Sequence, residues 1–364
     1  MYKRIKVKLN INPYEILVGE SIFKNVGNYI KKYSLYENVL LVFDEKVYSL
    51  HKKNFKEFTK NKFPKINYYP IQIKEAIKSY NSLKKIHAFL LDKNYGRDTT
   101  IIAMGGGVIG DLAGFAASTY MRGVQLIHVP TTLLASVDSS VGGKTGINFN
   151  GRKNIIGTFY QPNLVIVDTV FLSTLPKTEL TSGLGEVIKY SYLCDENFFK
   201  YLNNNYQQIY NYNKSAFQRF IYESLIIKSS VVEKDEKEGS LRKILNLGHT
   251  FAHAFESQSN FRVKHGQAVI AGLVASFYLS NQLGIINDND LKKYLSLPSK
   301  LKIGSFLKSI NNKQIVNIMK SDKKNTGTQI RFVLLKKIGE ILLEVNVKPS
   351  QIYSAINKTK KLFN

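Results

Sequence analysis

Three of the six histidines in this 364-residue chain fall close together, at 249, 253 and 265. In the segment NLGHTFAH, Asn246, His249 and His253 recur at i, i+3 and i+7. On a helix that spacing puts all three on one face. His265 follows in VKHGQ, and Glu186 lies in SGLGEVIKY with Lys189 one turn further on. A glutamate with two histidines is a common catalytic zinc set, with positions left open for water or substrate. A lone histidine is more often structural, but three polar residues on an apolar helix face are costly if buried without partners. A shared metal site accounts for them more simply. Spacing alone leaves open which of His249, His253 and His265 are ligands.

A second set of residues suits a phosphate. GGGVIGDLAGF, Gly105–Phe115, follows the apolar run TIIAM. Glycine lets a backbone approach a ligand closely, and Gly105-x-Gly107-x-x-Gly110 fits the dinucleotide fingerprint when a strand precedes it and a helix follows. Asp44 ends the run NVLLVF, where a carboxylate can reach ribose hydroxyls or simply close a turn. Thr131 and Thr132, in HVPTT, offer hydroxyls to an adenine or a phosphate, or cap a helix. Asp138 and then GGKTG follow. The phosphate-loop reading of GGKTG fails because position 138, where its first glycine belongs, is an aspartate. Lys144, Lys153 and Asn154 are read instead as holding an anionic substrate.

The elements that must position these residues change along the chain. Runs rich in β-branched residues recur at Asn38–Phe43, Thr100–Met104, Gln125–Val129 and Leu164–Val167, with amphipathic segments such as Ser79–Leu91 between them. That alternation predicts a parallel sheet with crossover helices, and the first residues also alternate like a strand. From about Pro176 long amphipathic stretches take over: Thr178–Leu193, Ser215–Glu233, Ile244–Ser257 and Gly266–Leu283. We therefore expect an α/β domain over 1–176 and a mostly helical domain over 177–364. Strands are expected at Gln329–Leu335 and Glu340–Val345, and a frayed tail from Lys358.

Hydrophobic residues make up 44% of the chain, enough for real cores. No apolar run is long enough to span a membrane, and the N-terminus lacks the pattern of a signal peptide. A single cysteine, Cys194, precludes an intrachain disulfide, so a reducing, cytoplasmic compartment is expected. The net charge of +25 is spread over the whole chain rather than packed into one arm. It reads as compositional drift, with no nucleic-acid or membrane partner expected.

GGGVIGDLAGFAASTYMRG, HVPTTLLASVDSSVGGKTGIN, SGLGEVIKY, LNLGHTFAHAFE and the phrase DKK at 322–324 stand in the order found in 3-dehydroquinate synthases. The chain resembles that family from about Asp44 to Gly339, most specifically in the middle. The resemblance implies a dehydroquinate synthase-like fold: an α/β N-terminal Rossmann-like domain plus a mostly α-helical C-terminal domain, with the active site in the cleft between them. It implies that Glu186, His249 and His265 bind Zn2+ or Co2+, with His253 nearby handling protons or substrate. NAD contacts would fall on Asp44, Glu75, Lys78, Gly107, Val108, Ile109, Gly110, Asp111, Thr131, Thr132, Phe171, Leu172, Ser173 and Thr174, with Lys144 and Lys153. Substrate contacts would fall on Asp138, Lys144, Lys153, Asn154, Lys189, Lys228, Arg242 and Asn246, joined by Lys323 or Lys324. Arg122 resembles the arginine that family members donate across a homodimer interface.

Three positions depart from the family pattern. Gln267 replaces the usual glutamate beside a presumed ligand, Ala252 a usual glycine, and Lys74 the glycine before Glu75. The activity implied is conversion of the phosphorylated keto acid DAHP (3-deoxy-D-arabino-heptulosonate 7-phosphate) to 3-dehydroquinate and phosphate. It would proceed by transient oxidation with NAD, phosphate elimination, reduction and intramolecular aldol closure. The rivals are another sugar phosphate cyclase, such as a 2-deoxy-scyllo-inosose synthase, and a metal-dependent polyol dehydrogenase.

Overall fold

The computed structural model describes residues 2–320 and 330–363, apart from the side chain of Glu75. The chain forms two compact units, one of Met1–Leu175 with Tyr212–Glu233 and one of Pro176–Asn211 with Lys234–Asn364.

The first unit is built on a seven-stranded sheet. Its strands are β1 (Tyr2–Val7), β2 (Tyr14–Gly19), β3 (Asn38–Asp44), β4 (Lys65–Ile71), β5 (Thr99–Gly105), β6 (Gln125–Pro130) and, further along the chain, β9 (Leu164–Asp168). The order across the sheet is β1-β2-β9-β6-β5-β3-β4. All pairings are parallel except β1 with β2. Leu40, Val42, Ile101 and Leu126 enter one core, and Val39, Leu41, Ile102 and Ile127 enter another. Burial on both faces is why these strands read as continuous apolar runs. Helix α1 (Tyr80–Asp92) buries Leu83, Ile86 and Leu90, and helix α2 (Gly107–Thr119) begins at the glycine segment.

A hairpin of β7 (Lys144–Phe149) and β8 (Arg152–Phe159) was not expected. Its turn is Asn150-Gly151, both at positive φ (47° and 73°), the geometry that Asn-Gly favours between paired strands. The chain leaves the first unit at Leu175, beside the expected division at 176, but the segment Tyr212–Glu233 returns to it. Helix Lys214–Lys234 packs with the α/β unit, burying Phe217, Phe220 and Ile221. Tyr212 Oη donates to the Leu175 carbonyl at 2.6 Å, and Lys214 pairs with Glu20 at 2.5 Å. Helical periodicity marks the buried face of such a segment but not which core receives it.

The second unit comprises α3 (Lys177–Leu193), α4 (His249–Gln258), α5 (His265–Gln282), the antiparallel pair β10 (Arg331–Lys337) and β11 (Glu340–Asn346), and α6 (Pro349–Phe363), with shorter helices between. Helix α5 is buried along most of its length and packs against α3, α4 and α6. Two expectations need correction. The stretch 244–257 is not one helix: Leu241–Asn246 is a 3-10 turn, Gly248 takes φ +78°, and α4 starts at His249. The tail is not frayed, because Thr359 on α6 is fully buried and Lys360 Nζ donates to the Ile310 carbonyl at 2.6 Å. Among the described residues no helix is long and apolar enough to cross a membrane.

Candidate active site

Two glycine contacts set the geometry of the second unit. A Cβ on Gly185 of α3 would stand 2.3 Å from the Gly266 carbonyl oxygen, and one on Gly266 of α5 would stand 1.7 Å from that of Ser182. Backbone meets backbone there, so neither position accepts a side chain. Each glycine adjoins a chemically active residue: Glu186 follows Gly185, and His265 precedes Gly266. A third contact seats α4 on α5, since a Cβ on Gly272 would lie 2.2 Å from the Gly248 carbonyl oxygen.

The result is a convergent donor set. Ligand atoms of Glu186, His249 and His265 all lie within 4.8 Å of one another. Glu186 Oε1 is 3.4 Å from His249 Nε2 and 3.2 Å from His265 Nε2. The far ring nitrogens have acceptors of their own. His249 Nδ1 lies 3.2 Å from the Leu247 carbonyl, and His265 Nδ1 lies 3.2 Å from Glu256 Oε1. Acceptors at Nδ1 hold a proton there and leave Nε2 as the nitrogen that faces the common centre. One carboxylate and two imidazoles on one side of a point suit Zn2+ or Co2+ with open positions for other ligands. The residues present therefore fit a divalent ion.

The electrostatics agree. Glu186 is fully buried, which disfavours its charge. Lys189, ion-paired with its other oxygen, and the two histidines nevertheless hold its carboxyl well below the usual range. Burial and Lys189 push His249 down. Burial also opposes charge on His265, but Glu186 and Glu256 overcome it and raise its pKa to about 10. Ion binding must therefore displace a proton from His265.

His253 stands beside this set, its ring 5.4 Å from that of His249 and 6.3 Å from that of His265, but it is not one of the three converging donors. Arg242 donates to the Glu236 carbonyl at 2.5 Å and Asn246 to Glu238 at 3.2 Å, both on or beside the 3-10 turn. Gln267 lines a separate cavity of about 480 Å³ with Gln258, Arg262 and Gln314. The carboxylate that orients His265 is Glu256. The sequence reading missed it, although it lies on α4 seven residues after His249, on the face that singled out the histidines.

In the first unit β5 runs into Gly105 and Gly106, and α2 opens at Gly107 with Val108, Ile109, Gly110 and Asp111 in its first turns. Thr131, at the exit of β6, donates its backbone N–H to the Gly105 carbonyl at 2.9 Å. Thr132 stands against the same turn, where a Cβ on Gly106 would meet its Cγ2 at 3.1 Å. Lys78, buried, pairs with Asp111 at 2.5 Å and with the Asn154 side chain, so three residues from separate elements meet. Asn154, next to Lys153 on β8, takes φ +53°. Lys228 donates to the backbone and side chain of Asp138 at 2.6 and 2.5 Å.

The remaining positions expected to meet NAD lie on several elements. Asp44 ends β3 and caps the next helix through the Lys46 N–H at 2.9 Å, and burial raises its pKa. Phe171 and Leu172 are buried, and Thr174 lies 2.8 Å from His51 Nε2. Lys144 opens β7 with an exposed side chain, Ser173 is exposed, and Arg122 follows Met121 in a turn where both take positive φ. Lys323 and Lys324 fall outside the described residues, as does the Glu75 side chain.

A doubly covered parallel sheet with a glycine turn, in one chain with a helical unit carrying a Glu-His-His donor set, defines the dehydroquinate synthase-like fold class. The profiles of the N-terminal and C-terminal parts of 3-dehydroquinate synthase match residues 68–182 and 183–325. A 3-dehydroquinate synthase of Pelagibacter ubique is 40% identical over 98% of this chain and 99% of its own, and one of Desulforamulus reducens is 38% identical over 97% and 99%. The fold is shared with a 2-deoxy-scyllo-inosose synthase solved with carbaglucose-6-phosphate, NAD+ and Co2+, at a TM-score of 0.87 and 24% identity, covering 98% of this chain and 99% of that one. The chain belongs to the 3-dehydroquinate synthase family.

Proposed function

We propose that the protein converts DAHP to 3-dehydroquinate and inorganic phosphate, using NAD and a divalent ion, Zn2+ or Co2+. The observation that carries the reading is the convergence of Glu186, His249 and His265 in a chain matched across both parts by the 3-dehydroquinate synthase profiles. Bound NAD supplies a reversible hydride acceptor, and the ion supplies a Lewis acid for substrate hydroxyls. The chain's own residues bind and orient. Lys144, Lys153, Lys228, Arg242 and Lys189 provide cations for a substrate carrying both a phosphate and a carboxylate. Asp138 holds the Lys228 ammonium at 2.5 Å and so directs it. Asn154 and Asn246 offer amides to hydroxyls. His253, beside the donor set, is placed to hand protons to substrate oxygens. The departing phosphate can take up the proton lost in elimination, so no dedicated protein base is assigned.

The glycine turn, Lys78, Asp111, Thr131 and Thr132 are assigned to the dinucleotide, with Asp44, Glu75 and the 171–174 segment. A homodimer is part of the reading. Arg122 is assigned to the partner's site, supported by its strained turn and by exposed Met121, Ile155 and Phe159. We place the enzyme in the cytoplasm, consistent with its single cysteine, and assign no nucleic-acid partner to its positive charge.

The test is turnover of DAHP by protein stripped with a chelator and resupplied with Zn2+ and NAD. Equal release of phosphate and 3-dehydroquinate, dependent on the ion and without net NADH, is expected. NADH accumulating from polyols, or cyclisation of another sugar phosphate with DAHP untouched, would move the chain to one of the rival activities.

A further inference from the structure

His128 stands on β6, two residues before Pro130, and is 6% exposed. It faces α2, where a Cβ on Gly110 would meet its ring at 3.5 Å. No hydrogen bond to its imidazole is found among the described residues. The ring lines a cavity of about 10 Å³ together with Gly105, Gly106, Gly110, Ser139 and Ser140. The Ser140 hydroxyl is buried and unpartnered, as are those of Thr131 and Ser136 nearby in sequence. Polar groups are rarely left unpaired in a protein interior, and each such case asks for a missing partner. A cavity of that size accommodates about one water, provided two or more polar groups surround it.

We propose that this cavity is a single-water site built into the glycine turn. One ordered water bridges the His128 imidazole and the Ser140 hydroxyl, which makes His128 a positioning residue for dinucleotide binding. Burial pushes the His128 pKa down to about 4, so the ring is neutral and offers one N–H and one lone pair, either of which a water can meet. The turn is already tied to β6 by the Thr131 N–H to the Gly105 carbonyl. The water adds a side-chain tie from beneath, at the point where backbone N–H groups of the α2 N-terminus must hold still to meet a phosphate. The positioning role rests on the NAD reading above.

Four variants test it: His128→Leu, His128→Gln, Ser140→Ala and the Leu/Ala double. NAD affinity is measured by calorimetry, zinc content by atomic absorption, and KM for NAD separately from kcat. Loss of one hydrogen-bonded tie predicts about tenfold weaker NAD binding in His128→Leu and in Ser140→Ala, with zinc content and kcat at saturating NAD retained. The double variant loses no more than the worse single, because both remove the same water. His128→Gln, which keeps a donor and an acceptor, recovers the affinity. Unchanged affinity in both singles, or losses that multiply in the double, would overturn the proposal. Should His128→Leu not fold, Ser140→Ala and His128→Gln still decide. Wild-type protein that does not bind NAD at all would overturn the positioning role through the reading beneath it. A crystal structure without water density between His128 and Ser140 would overturn the water site itself.

Discussion

At the residue scale the donor set divides into groups that meet an ion and a group that aims them. Changing His265 to Ala removes a ligand and should abolish both zinc content and turnover with the fold retained; full activity at normal metal content would refute the assignment. Glu256→Gln keeps the shape at His265 Nδ1 but removes the charge. Loss of such an orienting partner typically weakens metal affinity about 10–100-fold, so turnover should fall at limiting zinc and return with excess. Zinc affinity equal to wild type would show that Glu256 does not orient the ligand. His128 supplies a pH dependence of a different kind. Its folded pKa of about 4 lies below the unfolded 6.5. As pH falls below 6.5 the unfolded chain takes up a proton that the folded one refuses, so stability drops until about pH 4 and then levels. Between about pH 7.5 and pH 5 the loss is about 2 kcal/mol, read by urea unfolding as the difference from His128→Gln. Equal pH slopes in the two proteins would show that His128 is not held neutral. Of these groups the sequence displayed Glu186 and the histidines. Glu256 shared their helical spacing but was passed over, because a carboxylate near a helix end is ordinary until its partner is seen.

At the element scale the site depends on how closely helices approach. Gly185 with Gly266, and Gly248 with Gly272, let backbones touch where any side chain would collide. Gly266→Ala forces α5 away from Ser182 on α3 and carries His265 from Glu186. Overpacking against rigid backbone should cost about 3 kcal/mol or more and lower zinc affinity with it; a variant that melts and binds zinc as wild type would mean the helices can slide apart at no cost to the site. The sequence showed these glycines inside helical patterns, where they mark a reason to exist but not the neighbour. The same limit explains the interrupted helix. The spacing of Asn246, His249 and His253 fits one continuous face, yet Gly248 in a left-handed conformation starts the helix at His249. The β7–β8 hairpin is the reverse case, since its Asn-Gly turn is a strong local signal, while the segment was read only for Lys144, Lys153 and Asn154.

At the scale of the whole molecule the proposed dimer makes a prediction that no single chain can meet. If Arg122 serves the partner's site, Arg122→Ala and Glu186→Ala should each be nearly inactive alone. Mixed and reassociated, they should regain up to about a quarter of wild-type activity, from the one intact site in each heterodimer. No recovery, in a mixture shown by mass to contain heterodimers, would place Arg122 in its own chain's site or in none. The assignment of Lys214–Lys234 to the α/β unit is likewise a matter of the assembled chain, because its amphipathic face is compatible with either core.

The sequence by itself determined the parts. Two-sided apolar runs specified a parallel sheet, 3.6-residue periodicity pointed to the helices apart from the break at Gly248, and residue chemistry named the glycine turn and the candidate metal donors. These are local properties, carried by spacing and side-chain type. Tertiary structure brought together the donors that the resemblance implied, Glu186, His249 and His265, and alone decided that Glu256 rather than residue 267 orients His265, that Lys78 meets Asp111 and Asn154, and that a buried histidine sits beneath the glycine turn. The reason is physical: each of those facts is a contact between separate elements, and side-chain periodicity states which face is buried without stating against what.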